Sequence, residues 1–242
     1  MGKHISTGLV LFVLAQMMFG QPVYTKEYLM GKFDYTKDTS FELVPAKYSK
    51  MANQYLRNEA MQSFIKMAEA AKKDSIKLYV LSATRSFDEQ KQIWNDKWTG
   101  RTLVNGQNLT HIKDSLLRAK EILKYSSMPS ASRHHWGTDV DLDNFNNAYF
   151  KHDEGLKIYN WLLNNASKYG FCNPYNEKGI ARKSGYEEER WHWSYLPIAK
   201  ECLKQYKTKV TYKDINGFHG QATAKDIGII ENYLFGINNN CE

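Results

Sequence analysis

The chain has 242 residues, with 33 Lys and Arg against 26 Asp and Glu for a formal net charge of +7, and only three cysteines. That length suits one generous domain. Three cysteines allow at most one intramolecular pair and fit no zinc knuckle, and the basic surplus favours an anionic polymer as partner. The first residues, MGKHISTGLVLFVLAQMMFG, set one lysine before an apolar run from Gly8 to Phe19 and a small residue at Gly20. This is the order of a secretory signal, too short to span a bilayer, so residues 1–20 are expected to be an export signal and residues 21–242 a single domain. No later segment is long and apolar enough to cross a membrane. Export makes a polyanionic cell wall, and not nucleic acid, the expected partner.

Residues 21–50 scatter Gly, Pro and Asp among aromatics and read as an irregular arm. Leu56, Ala60, Phe64, Met67, Ala68 and Ala71 then recur at helical spacing, which predicts a helix ending near Lys73. KLYVLSA, from Lys77 to Ala83, predicts a buried strand that delivers Thr84 and Arg85 at its exit. FDEQKQIWNDKW after Ser86 is helical, residues 99–110 form a glycine-bearing loop, and Leu116, Leu117, Ala119, Ile122 and Leu123 mark another helix. From Thr138 onward Val140 and Leu142 alternate with Asp139, Asp141 and Asp143, a strand with one apolar face and one acidic face expected to be wet.

Leu156, Tyr159, Leu162, Leu163 and Ala166 predict a helix stopped by a left-handed Gly170. RWHWSY, from Arg190 to Tyr195, reads as a strand, with Trp191, Trp193 and Tyr195 as walls for what lies beside them. A helix opens at Pro197, and Cys202 falls on its apolar stripe as a core thiol, leaving Cys172 and Cys241 as the expected disulfide. Thr223 opposite Asp226 resembles a capping box for a last helix reaching Leu234. Strands and helices in this order, without repeats or linkers, make an α+β domain.

The segment SRHHWGTDVDLDNF concentrates charge that a core would reject unless it were paired. A His seven residues before an Asp is weak evidence by itself. EERWHWSY changes the weight, because Glu189 stands three residues before a His192 held between two tryptophans. Zinc catalysis needs three imidazole or carboxylate ligands, an open position for water, and a nearby carboxylate to take its proton. His134, Asp141 and His192 can supply the ligands and Glu189 the base.

SRHHWGTDVD resembles the Ser-x-His-x-x-Gly-x-x-x-Asp element, ERWH the Glu-x-x-His element and RSFDEQ the Arg-Ser-x-x-x-Gln element of zinc D-alanyl-D-alanine carboxypeptidases related to those of vancomycin resistance. The three motifs follow the family's order. The resemblance implies one zinc ion per chain on His134, Asp141 and His192, with Glu189 as general base. It implies that Arg85 and Ser132 contact the terminal carboxylate or the oxyanion and that Gln90 lines the same pocket. Where relatives often carry a small apolar residue this chain has Asp139, expected to hydrogen-bond a ligand or face water; His135 is expected to pack or hydrogen-bond rather than bind metal.

The fold implied is a small antiparallel sheet with flanking helices, shared with lysostaphin and hedgehog domains. The function implied is cleavage of the terminal D-Ala-D-Ala bond of peptidoglycan stem peptides by an exported, monomeric enzyme of the periplasm or cell envelope. An L,D-carboxypeptidase, a cross-link endopeptidase and a zinc-bearing wall-binding module are the rival readings. The presence of Glu189 speaks against the last.

Overall fold

The computed structural model describes residues 22–180 and 182–242; the expected export signal lies outside the described residues. Along the chain run α1 (Lys26–Leu29), β1 (Phe41–Leu43), β2 (Tyr55–Arg57), α2 (Asn58–Lys73), β3 (Val80–Ser82), α3 (Phe87–Trp98) and α4 (Ser115–Ile122). They are followed by β4 (Asp139–Leu142), α5 (Asp153–Asn165), β5 (Phe171–Cys172), β6 (His192–Tyr195), α6 (Leu196–Lys209) and α7 (Ala224–Ile227). β1 and β2 form an antiparallel pair, and the other four strands make an antiparallel sheet in the order β3-β4-β6-β5. The architecture is α+β, as expected.

Several local readings need correction. The stretch read as an irregular arm contains α1 and β1. Leu56 sits opposite Glu42 on β2, and the helix begins only at Asn58. A side chain on a two-residue strand repeat can share a core with a helical stripe, so apolar spacing did not separate them. The strand expected over Lys77–Ala83 is three residues long, because its pairing with β4 shifts register between Val80 and Ser82. At the end of the chain Thr223 makes no side-chain cap; its hydroxyl donates to the Gly220 carbonyl at 2.8 Å. α7 stops at Gly228 in the left-handed region, φ 68°, and the chain continues to Leu234 as a π-helical turn.

The sheet divides two apolar clusters. Val140, Leu142 and Trp193 pack with Phe64 and Met67 of α2 and Leu162 of α5. Trp94 of α3, Ile122 of α4 and Cys202 and Tyr206 of α6 belong to the second cluster, together with Tyr24, Tyr28, Leu29 and Trp136. The expectation of a wet acidic face is overturned: Asp139, beside Arg133, Asp141, between His134 and His192, and Asp143, beside Lys50 and the Tyr79 N–H, are all buried. Cys172 and Cys241 form the disulfide, with Cα atoms 5.7 Å apart, and Cys202 is a buried free thiol.

Candidate active site

β4 and β6 build the centre of the site by register alone. Asp141 lies directly opposite His192 and Asp139 opposite Ser194, so these four side chains share one face of the sheet. His134 arrives from a 3₁₀ turn, Arg133–Trp136, that ends in Gly137 at φ 72°. A β-carbon on Gly137 would drive into the Phe41 ring, so glycine is required here both for the left-handed turn and for the close approach. The turn is tied to the exit of β3: the Arg85 N–H donates to the His134 carbonyl at 3.1 Å, and the His135 ring bonds the Arg85 carbonyl at 2.7 Å. Glu189 is fixed through its backbone, which donates to Tyr175 and accepts from the Asn173 amide.

One nitrogen of each imidazole is already occupied. His134 Nδ1 bonds the Ala83 carbonyl at 2.7 Å, and His192 Nε2 meets Asp139 Oδ2 at 2.8 Å. Their other nitrogens converge on Asp141, with His134 Nε2 3.3 Å from Oδ2 and His192 Nδ1 3.1 Å from Oδ1. The candidate ligand atoms of His134, Asp141 and His192 lie within 4.8 Å of one another, and all three residues are buried. His134 Nε2 and Asp141 Oδ1 have no hydrogen-bond partner. Orphaned inner donors with satisfied outer nitrogens are the pattern of a divalent metal cage, and two nitrogens with one oxygen suit zinc. Glu189 Oε2 stands 3.4 Å from His192 Nδ1, beside the same point.

The charges are arranged accordingly. Burial pushes the Glu189 carboxyl above its ordinary range, against the pull of His192. Burial opposes ionisation of Asp141 as well, but His134 and His192 outweigh it and hold that carboxyl well below its usual range. Burial and Arg85 lower the His134 imidazole. Asp139 meets the buried Arg133 guanidinium at 3.0 Å and accepts from the Thr138 and Ser194 hydroxyls, each at 2.7 Å. Asp139 therefore bonds a candidate ligand, one of the two roles expected of it, and does not face water.

A cleft of about 550 Å³ opens on this cage. Arg85, Gln90, His134, Asp141, Glu189 and His192 all line it. Ser132, 1 % exposed, does not line it; it precedes the 3₁₀ turn, and its carbonyl accepts the His135 N–H. Gln90 donates to the Ser127 carbonyl at 2.8 Å and keeps its own oxygen unpartnered. Of the three expected walls Trp191 lines the cleft, whereas Trp193 points into the opposite cluster by strand alternation. Lys97, Tyr125, Tyr175, Tyr186 and Asn147 also line the cleft and were missed from the sequence. Lys97 could have been found, since it lies seven residues beyond Gln90 on the same helical face. Arg133 offered no local signal for its burial.

Residues 53–198 match the family described as VanY, D-alanyl-D-alanine carboxypeptidase. The protein YodJ of Bacillus subtilis is 30 % identical over 159 residues, covering 64 % of this chain and 50 % of YodJ. A D-alanyl-D-alanine carboxypeptidase of Enterococcus faecalis is 25 % identical over 176 residues, covering 67 % of this chain and 61 % of that protein. The chain thus spans half to three fifths of the length of these relatives. Among solved structures, the LdcB LD-carboxypeptidase superposes with a TM-score of 0.52 at 24 % identity, over 75 % of this chain and 81 % of that one, which shows a shared fold.

Proposed function

The chain belongs to the D-alanyl-D-alanine carboxypeptidase family, and on that footing we propose that it is a zinc-dependent D,D-carboxypeptidase acting on peptidoglycan stem peptides. The observation that carries the reading is the convergence of His134 Nε2, Asp141 and His192 Nδ1 beside Glu189 Oε2. His134, Asp141 and His192 would hold one zinc ion, whose Lewis acidity would supply water activation and polarisation of the scissile carbonyl. Glu189, with its carboxyl raised by burial, accepts the proton of the attacking water and passes it to the leaving amine. Arg85, on the same cleft, binds the free terminal carboxylate and fixes which bond lies over the cage. Gln90 lines the same cleft, with its buried side-chain oxygen left without a partner.

The enzyme is proposed to be exported as a monomer to the periplasm or cell envelope after loss of residues 1–20. The Cys172–Cys241 disulfide supports an oxidising compartment. No helix among the described residues is long and apolar enough to cross a membrane.

Mass spectrometry of purified muropeptides before and after incubation tests the reaction. Pentapeptide stems should lose one alanine, while tetrapeptides and cross-linked dimers persist. Glu189→Gln should keep its fold and its zinc yet turn over at least a hundredfold more slowly, because an amide cannot take the water's proton. Loss of alanine from tetrapeptides instead, or breakdown of dimers, would replace this reading with an L,D-carboxypeptidase or an endopeptidase.

A further inference from the structure

Lys97 is a cation on the cleft wall to which the chemistry above gives no work. Gln90, Ile93 and Lys97 occupy one face of α3, and all three line the cleft. Helical side chains lean back toward the N-terminus, which carries the Lys97 ammonium toward Arg85 and the cage. Its hydrogen bond goes to the hydroxyl of Ser126, another residue of the same wall. Among the described residues neither Lys97 nor Arg85 has a carboxylate partner at ion-pair distance, and Arg85 Nε is buried without any hydrogen bond.

Burial and the neighbouring Arg85 guanidinium hold the Lys97 ammonium below its ordinary range, with Glu189 opposing them. Two half-buried cations that act on one another with no carboxylate at ion-pair distance disfavour the empty cleft. A carboxylate placed between them relieves both. Glu189 acts on both cations at longer range but pairs with neither, since it faces His192.

We propose that Lys97 and Arg85 together clamp the terminal carboxylate of the substrate, with Ser126 holding the ammonium in position, so that Lys97 helps select peptides with a free C-terminus. The inference rests on the carboxypeptidase reading and adds to it a second charged contact and its support.

Equilibrium binding to the zinc-loaded Glu189→Gln protein tests the clamp without turnover. The ligands are a pentapeptide ending in D-Ala-D-Ala and its C-terminal amide. The parent should bind the free acid at least tenfold more tightly. Lys97→Met should weaken the free acid ten- to a hundredfold while changing the amide less than threefold, the range for loss of one charge-assisted contact. Lys97→Arg should recover most of the loss. Ser126→Ala, which keeps both cations, should weaken only the free acid, and by a smaller factor; it serves as the readout if Lys97→Met melts.

Equal weakening of acid and amide would show that Lys97 is structural, and no weakening of either that it adds nothing to binding; each ends the proposal while leaving the carboxypeptidase reading intact. A parent that binds acid and amide alike would sink that reading, and the clamp with it.

Discussion

Asp139 accepts from the Arg133 guanidinium and from two hydroxyls, and it meets the His192 ring, all while fully buried. Arg133 is as buried as its partner, donates to the Ser194 hydroxyl at 2.6 Å and lies over the Trp136 ring. A charge pair sealed this way is held in place because removing one member strands the other. Asp139→Asn should therefore destabilise the fold by about 3–5 kcal/mol. It should also weaken zinc by about ten- to a hundredfold, since His192 loses the carboxylate that orients its ring. Urea melts and zinc titration of the variant beside Asp141→Asn would separate the two effects: Asp141→Asn should lose more metal affinity and leave Arg133 paired. An unchanged urea midpoint in Asp139→Asn would contradict the assignment of Arg133 as its dependent partner.

At the level of elements, α3 owes its start to a capping box. Glu89 N–H donates to the Ser86 hydroxyl at 3.2 Å, and Ser86 N–H donates to the Glu89 carboxylate at 2.7 Å. Ser86→Ala should lower stability by about 1 kcal/mol, read as a shift in the thermal midpoint. Because α3 carries Gln90 and Lys97, the frayed turn should also raise KM. Stability equal to the parent's would mean that the box contributes nothing. The Ser-x-x-Glu spacing is legible in the sequence, whereas at Thr223 the backbone is already helical, φ −78° and ψ −11°, and the hydroxyl donates back to the Gly220 carbonyl, so the similar Thr-x-x-Asp spacing makes no cap.

Long helices were legible because a single apolar stripe repeats within one element: Phe64, Met67 and Ala71 on α2, and Ile198, Cys202 and Tyr206 on α6, are buried as that stripe predicts. The cage was legible because two short segments contain all of it. What stayed hidden depends on partners far along the chain. Leu56 is a strand residue only because β1 lies beside it, and the acidic face of β4 is buried only because Arg133, His134, His192 and Lys50 come to meet it.

For the molecule as a whole, the disulfide joins an edge strand of the four-stranded sheet to the last turn, across a separation of 69 residues. Cys241→Ser should lower unfolding free energy by about 2–4 kcal/mol, seen in chemical melts. Turnover of the folded fraction should stay near the parent's, because neither cysteine lines the cleft. A parent and variant with the same midpoint would mean that the tail docks equally well unlinked. The second cluster has a wider consequence. The family match runs from residue 53 to 198, yet Tyr28 and Leu29, which bond the backbone and the indole of Trp136, come before it, and Cys202 and Tyr206 come after. Kinship and self-sufficiency thus have different borders in this protein: a fragment trimmed to the inherited stretch would keep every residue of the cage and expose much of what shelters it.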